Sequence, residues 1–494
     1  MKLRLVAPGG AGDGEADLRV VPVAEGARSP KRRRAAVAGF TGRAGQAAEI
    51  VTRKRRLLLV GLGPAPDPPA AERAGALAAA RAGRAEWLCL DARGLSPESA
   101  AALALGARLR AWRYDRLRTR PDPDPDAPGL RRIETVVDDP EAARPAWDAM
   151  RAVLDGVLLA RDLVTEPADT LTPHTFADRL SALRRAGVQV EALGPERLRE
   201  EGLGALLAVG GGSARPPRLL VLRWPGAPGA ADAAPVAFVG KGITFDTGGL
   251  CIKPAQGMWE MRADMAGAAA CAGAMLALAR RRSPAPVVAV LPLAENAVGG
   301  ASYRPGDVLR LFGGTTVEVV DTDAEGRLVL ADALAWTVAR LRPRAVVDLA
   351  TLTGSIVVAL GHHMAGLFGG IAPGDDASVS HTPGADTVAG QVRAAGSAVG
   401  EDAWPMPIGE RHREDLRSDI ADLRQCASGR GQPDACHAAA FLREFVGGVP
   451  WAHLDIAGVE ARETADDRHP AGATGWGVRL LDRLVAERFE GAEG

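Results

Sequence analysis

Seven residues, Asp321-Thr322-Asp323-Ala324-Glu325-Gly326-Arg327, place three carboxylates and a guanidinium on one short stretch. Before them runs the β-branched segment Thr316-Val317-Glu318-Val319-Val320. After them, residues 328–341 carry apolar side chains three and four apart, the spacing of a helix. Acidic groups at a strand-to-helix corner, beside a glycine that lets backbone come close, suit a hard or borderline divalent cation. The same spacing also fits a capping box, with Thr322 at the N-cap and Glu325 reaching back, which needs no metal.

A second stretch bears on that choice. Val236-Ala237-Phe238-Val239 leads into Gly240-Lys241-Gly242-Ile243-Thr244-Phe245-Asp246-Thr247-Gly248-Gly249, followed by Lys253 and by Asp264 within Met261-Arg262-Ala263-Asp264-Met265. A strand that ends in glycines and polar residues is shaped for close backbone approach rather than for core. Taken singly, Asp264 fits a helix N-cap, Asp246 a turn residue and Lys241 a solvated strand-end lysine. Taken with Asp323 and Glu325, the two aspartates make four carboxylates on one rim. Like charges about 4 Å apart repel by several kcal/mol at intermediate dielectric. Two divalent cations would neutralise them and form a hydrolytic pair. Lys253 and Arg327 are then placed to stabilise charge developing on a substrate.

The elements that must position these residues alternate. Residues 1–56 are weakly patterned and carry basic runs at 31–34 and 53–56. A strand at 57–60, a helix at 70–85, a strand at 87–90 and a helix at 97–109 predict a small α/β module. Its Gly61-Leu62-Gly63 turn lacks the third glycine of a dinucleotide site. The proline-rich stretch 121–130 predicts an exposed loop. A long helix over 141–164 ends before Glu166-Pro167, which sets the domain boundary: an N-terminal α/β domain over 1–164 and a catalytic domain over 165–494. In the second domain, strands are expected at 219–222, 236–239, 287–291, 316–320, 345–349 and 451–455, with helices between them, including 265–282. That alternation predicts an α/β/α layering around a mostly parallel sheet, with ligands gathering beyond the carboxyl ends of its strands.

Composition sets outer limits. The chain has 494 residues, 47% apolar and 24% charged, enough for two or three domains. No apolar run is long enough for a membrane span, and the N-terminus is too polar for a signal core, so a cytoplasmic protein is expected. Five cysteines without a C-x-x-C pair indicate neither disulfides nor a thiolate zinc site, and no His-Glu-x-x-His occurs. Any catalytic metal is therefore held mainly by carboxylates. The net charge of −1 hides an asymmetry: residues 1–120 hold 23 Lys and Arg against 11 Asp and Glu. Surface drift accounts for such a bias, as does an anionic partner.

Residues 241–246, Lys253, 261–265 and 322–328 resemble the signature of the leucyl aminopeptidase (cytosol aminopeptidase) family. The similarity extends through Asp162 to Pro167, Leu171-Thr172-Pro173, 202–217, Glu295-Asn296, Tyr303 to Asp307, Ala350 to Gly354 and Trp451 to Gly458, nearly all of the chain from about residue 160. The N-terminal module matches more loosely, through residues 39–45 and the Gly-Leu-Gly turn. The resemblance implies a macro-domain-like N-terminal module and a two-metal exopeptidase that releases N-terminal residues, with a leucine-type preference, through a metal-activated water. One metal would be held by Lys241, Asp246, Asp264 and Glu325, the other by Asp246, Asp323 and Glu325, with Asp323 adding its main-chain oxygen. The ions expected are Mn²⁺, Zn²⁺ or Mg²⁺. Lys253 would polarise the carbonyl, and Arg327 would bind a bicarbonate acting as general base. Met261, Thr351, Leu352 and Gly354 match the side-chain pocket. The implied partners are peptides with a free N-terminus, and the implied assembly is a homo-hexamer. A DNA-binding or regulatory hexamer is the alternative from the same family.

The chain departs from the family in two places. Asp321 stands where the family has Asn. Residues 425–438 stand where it has a Gly/Asn-rich loop near the substrate, and Asp434 and His437 are unusual there.

Overall fold

The computed structural model describes the chain except for residues 10–14, 28–38, 52–55, 121–128, 231–232, 370–383, 428–433 and 492–494. The basic run at 31–34, most of that at 53–56, most of the proline-rich stretch and the middle of the 425–438 loop lie outside the described residues.

The chain divides into two compact units, Met1–Leu154 with Arg462–Gly472, and Asp155–Ala461 with Ala473–Gly494. The first holds a six-stranded sheet that includes Arg56–Gly63, Trp87–Asp91 and Arg132–Val136. It also contains Lys2–Val6, Leu18–Ala24 and Ala47–Val51, three strands from the stretch expected to be weakly patterned. All its pairings are parallel except that of Ala47–Val51 with Arg56–Gly63. The helices Pro68–Ala80 and Pro97–Arg110 pack on each other through Gly75 and Gly106. A methyl on either glycine would fall 1.9 Å from a carbonyl of the facing helix, so only glycine permits the contact.

The second unit is built on a nine-stranded sheet. Its order is Ala403–Pro405, Ala365–Gly369, Trp451–Asp455, Ala345–Ala350, Val236–Gly240, Val287–Asn296, Arg218–Trp224 and Gln189–Leu193, with Gly242–Asp246 pairing beside Val287–Asn296. The central pairings are parallel and antiparallel partners lie to either side. Strands 236–240, 345–350 and 451–455 are buried at every position, as a sheet covered on both faces requires. Ala237, Val239, Val288, Val290 and Val346 share one apolar cluster with Leu328, Val329, Leu330 and Leu334 of the helix Glu325–Leu341. Each such leucine contributes about 2 kcal/mol when buried. The helix Ala266–Arg280 is largely alanine and glycine and lies close enough to the sheet that a methyl on Gly267 would meet Leu349 O at 2.0 Å.

Two local expectations are corrected. Thr316–Glu318 is a strand, but it belongs to a separate three-stranded sheet with Val308–Arg310 and Leu423–Arg424. A β-branched run predicts extension and does not select the partner. The helix begins at Glu325 with Ala324 as N-cap and no side-chain cap. Thr322 Oγ1 instead donates to Gly248 O at 2.7 Å and accepts from Cys251 N at 2.8 Å, long-range partners that replace the local capping box.

Candidate metal centre

Lys241 lies between the strands Val236–Gly240 and Gly242–Asp246, and Asp246 ends the second of them. Asp264 follows the 3-10 turn Met258–Ala263, and Asp323 and Glu325 lead into the helix Glu325–Leu341. Ligand atoms of Asp246, Asp323 and Glu325 lie within 4.8 Å of one another. Lys241 Nζ is 2.8 Å from Asp264 Oδ1 and 2.9 Å from Glu325 Oε1, and it donates to Thr351 O at 3.0 Å. Lys253 Nζ is 2.9 Å from Asp246 Oδ2 and 2.5 Å from Asp323 Oδ1. Asp264 is not the N-cap of the helix that follows, a place Met265 takes; its Oδ1 accepts from Lys241 and from the Thr351 hydroxyl, the latter at 2.7 Å.

Four carboxylates thus meet two ammonium groups. Burial, and next the charge of Asp246, push the Glu325 carboxyl up to about 8. Burial likewise raises Asp264 to about 6 against the pull of Lys241, and burial with Asp246 raises Asp323 to about 6. Burial alone would lower Lys241 and Lys253, yet neighbouring carboxylates hold both above the usual lysine range. Acids raised beside lysines raised are consistent, because acids outnumber cations and each cation is shared. Asp264 Oδ2 is buried and accepts no hydrogen bond. Surplus negative charge, oxygen-rich donors and an unmatched carboxylate oxygen fit divalent cations.

Backbone and amide groups hold this rim. Gly248, at φ +84°, donates its N–H to Asp246 Oδ1 at 2.8 Å; a methyl there would fall 2.5 Å from Cys251 O and 2.9 Å from Asp323 Oδ1. Asn296, at the end of the strand Val287–Asn296, donates to Asp246 Oδ1 at 2.8 Å and to Thr322 O at 3.0 Å. Tyr303 OH donates to the same Thr322 O at 2.8 Å. Asn296 and Tyr303 matched the family pattern without an assigned role; the strand expected at 287–291 stops short of Asn296, so its place at the strand's carboxyl end emerges only in the structure. Asp321 Oδ1 accepts from Asp323 N at 2.9 Å, which fixes the turn carrying Asp323.

Arg327 is buried. Its NH2 is 2.6 Å from Asp434 Oδ1 and its NH1 donates to Gln425 O at 3.2 Å. Burial opposes its charge, and Asp434 is the chief influence sustaining it. Of the pocket residues, Thr351 touches Asp264 directly, and a methyl on Gly326 would meet Leu352 Cδ1 at 3.0 Å. Met261 accepts from Asp264 N at 3.3 Å through its carbonyl, and Gly354 is the exposed first residue of the helix Gly354–Leu360. His437 points elsewhere, its Nε2 lying 3.0 Å from Asp415 Oδ2.

Residues 158–482 match the catalytic domain of the cytosol aminopeptidase family, and residues 35–121 match that family's N-terminal domain. A probable cytosol aminopeptidase of Methylobacterium radiotolerans is 44% identical over 88% of this chain and 84% of that protein. One of Brucella suis is 42% identical over 98% of this chain and 95% of that protein. Among solved structures, the bottromycin maturation enzyme BotP superposes with a TM-score of 0.81 at 38% identity, covering 97% of this chain and 100% of its own. BotP has also been solved in complex with Mn. A tomato leucine aminopeptidase variant superposes with a TM-score of 0.80 at 31% identity, covering 98% of this chain and 96% of its own.

Proposed function

The chain belongs to the cytosol aminopeptidase family and is a metal-dependent aminopeptidase; from that premise we propose that it removes leucine-type residues from peptide N-termini with two divalent cations. The observation that carries this reading is the meeting of Asp246, Asp323 and Glu325 within 4.8 Å, with the Lys241–Asp264 pair beside them. Those five residues would hold the ions, Mn²⁺, Zn²⁺ or Mg²⁺, with Lys241 serving as a neutral amine once a cation replaces the proton that its carboxylate neighbours otherwise keep on it. The ions would supply Lewis acidity and a water acidic enough to act near neutral pH.

The chain's own groups do the rest. By family likeness the neutral α-amine of a substrate's N-terminus would be held at the loaded centre, a group that an internal peptide bond lacks. Lys253, half-buried between Asp246 and Asp323, offers a fixed cation to the oxygen of the scissile carbonyl as charge grows on it. Thr351, Leu352, Gly354 and Met261 border the space for the departing residue's side chain, and the apolar Leu352 and Met261 favour an aliphatic one. A bicarbonate at Arg327 would have to share that guanidinium with Asp434. A homo-hexamer in the cytoplasm is the assembly we assign by family likeness. Among the described residues no helix is long and apolar enough to cross a membrane.

The test is metal titration by calorimetry on chelator-treated protein, paired with leucine-amide hydrolysis after reloading. Two equivalents bound and activity restored support the reading. Activity surviving in both Asp264→Ala and Glu325→Ala sinks it.

A further inference from the structure

A buried guanidinium requires an anion within reach, because an unpaired charge out of water costs several kcal/mol. Arg327 is 2% exposed, and the carboxylate that meets it is Asp434, whose own side chain is 44% exposed. The pairing is one-sided: the arginine is sealed in the protein while its carboxylate stays open to entering molecules. It also uses one guanidinium nitrogen rather than the two-pronged grip that arginine can give, and Nε is left without a partner.

Asp434 is tied to the candidate centre from two sides. Gln425, whose carbonyl accepts from Arg327 NH1, braces residues 320–324 with its side chain. Next to Asp434, Ala435 N donates to Ser355 Oγ at 3.0 Å. Ser355 Oγ reaches Thr353 Oγ1 at 3.2 Å, and that hydroxyl donates to Asp455 Oδ2 at 2.7 Å. Ser355 follows Gly354, so the start of the helix Asp434–Arg443 is fastened to the segment bordering the substrate pocket.

We propose that Asp434 is a built-in occupant of the anion position at Arg327, a carboxylate supplied by the chain where a bicarbonate-class oxyanion would otherwise bind. The inference rests on the aminopeptidase reading. It makes Asp434 a positioning residue whose carboxylate holds Arg327 beside the carboxylate rim and renders the reaction indifferent to added small carboxylates.

The experiment compares wild type with Asp434→Ala, which leaves the buried Arg327 without its carboxylate; melting curves of both proteins set a temperature at which each is folded, and all measurements are made there. Leucine-amide hydrolysis is measured with and without bicarbonate or formate, and ¹³C-bicarbonate line broadening reports binding directly. Wild type is expected to ignore the anions. The variant is expected to lose on the order of tenfold or more through misplacement of Arg327, to regain most of it with bicarbonate or formate, and to broaden the ¹³C line where wild type does not. The proposal is overturned if bicarbonate binds and stimulates wild type as it does the variant. It is equally overturned if the variant keeps full activity unaided, or if it shows neither rescue nor binding. A wild type inactive with every metal would refute the aminopeptidase reading, while the binding comparison would still decide this one.

Discussion

Gln425 holds the backbone of Asp321 from both sides: its Oε1 accepts from Asp321 N at 3.2 Å and its Nε2 donates to Asp321 O at 2.7 Å. The same buried amide accepts from Val320 N at 2.6 Å and donates to Ala324 O at 3.2 Å. Only an amide offers donor and acceptor together in this way. Gln425→Ala should therefore lower unfolding free energy by roughly 2–4 kcal/mol, since it leaves buried backbone groups unmatched. Denaturant unfolding measures the loss, and faster amide exchange at Val320 and Asp321 locates it. An unchanged midpoint would show that the clamp supports nothing.

Asp321 serves the same loop differently, through the hydrogen bond from Asp323 N to its Oδ1. An asparagine oxygen can accept that bond equally well. Asp321→Asn is expected to stay within about 0.5 kcal/mol of wild type. Asp321→Ala should cost about 1 kcal/mol. Equal unfolding curves for both variants would remove the turn bond as the reason for this residue.

The carboxylates and lysines that the structure brings together stood out in the sequence because charge beside glycine at strand ends is unusual in a buried α/β layer. Asn296 and Gln425 carried no such mark. Their value lies in partners up to 105 residues away, and a neutral amide has no spacing rule that announces it. Thr322 shows the limit from the other side. Its spacing to Glu325 satisfied a local capping rule, yet Gly248 and Cys251, more than 70 residues earlier, engage the hydroxyl instead. Thr316–Glu318 was legible as a strand but not by sheet, since side-chain shape fixes extension and tertiary packing fixes the neighbour. The central strands were legible because burial on both faces leaves unbroken apolar runs.

Gly326 sets the distance between the helix and Lys241. A methyl there would lie 2.5 Å from Lys241 Cε and 2.7 Å from Nζ. A lysine tail ordinarily swings aside, but this one is held by Asp264, Glu325 and Thr351 O. Alanine favours a helix over glycine by about 1 kcal/mol, but tearing a buried lysine from its carboxylates costs more, so Gly326→Ala should melt below wild type. Displacing Lys241 should also reduce kcat/KM on the order of a hundredfold. A variant with normal kcat/KM would contradict the packing argument.

Asp332 gives the second unit a pH dependence separate from the candidate centre. Its Oδ2 accepts from Leu206 N at 2.9 Å and its Oδ1 from Phe312 N at 2.8 Å, fastening the helix Glu325–Leu341 to two neighbouring segments. Burial nevertheless pushes its carboxyl up to about 7, outweighing the lowering by those backbone bonds. An unfolded aspartate titrates near about 3.9. Between these values the folded chain binds more protons than the unfolded one, so this site's contribution to stability is largest below about pH 4 and declines until about pH 7. Asp332→Asn removes the titration and keeps one acceptor oxygen. The stability advantage of wild type over the variant should therefore shrink as pH rises, by at most about 1.4 kcal/mol per unit inside the window. Chemical unfolding of both proteins at intervals from about pH 5 to about pH 8 reads the slope, and a difference that stays constant with pH would mean Asp332 is ionised throughout.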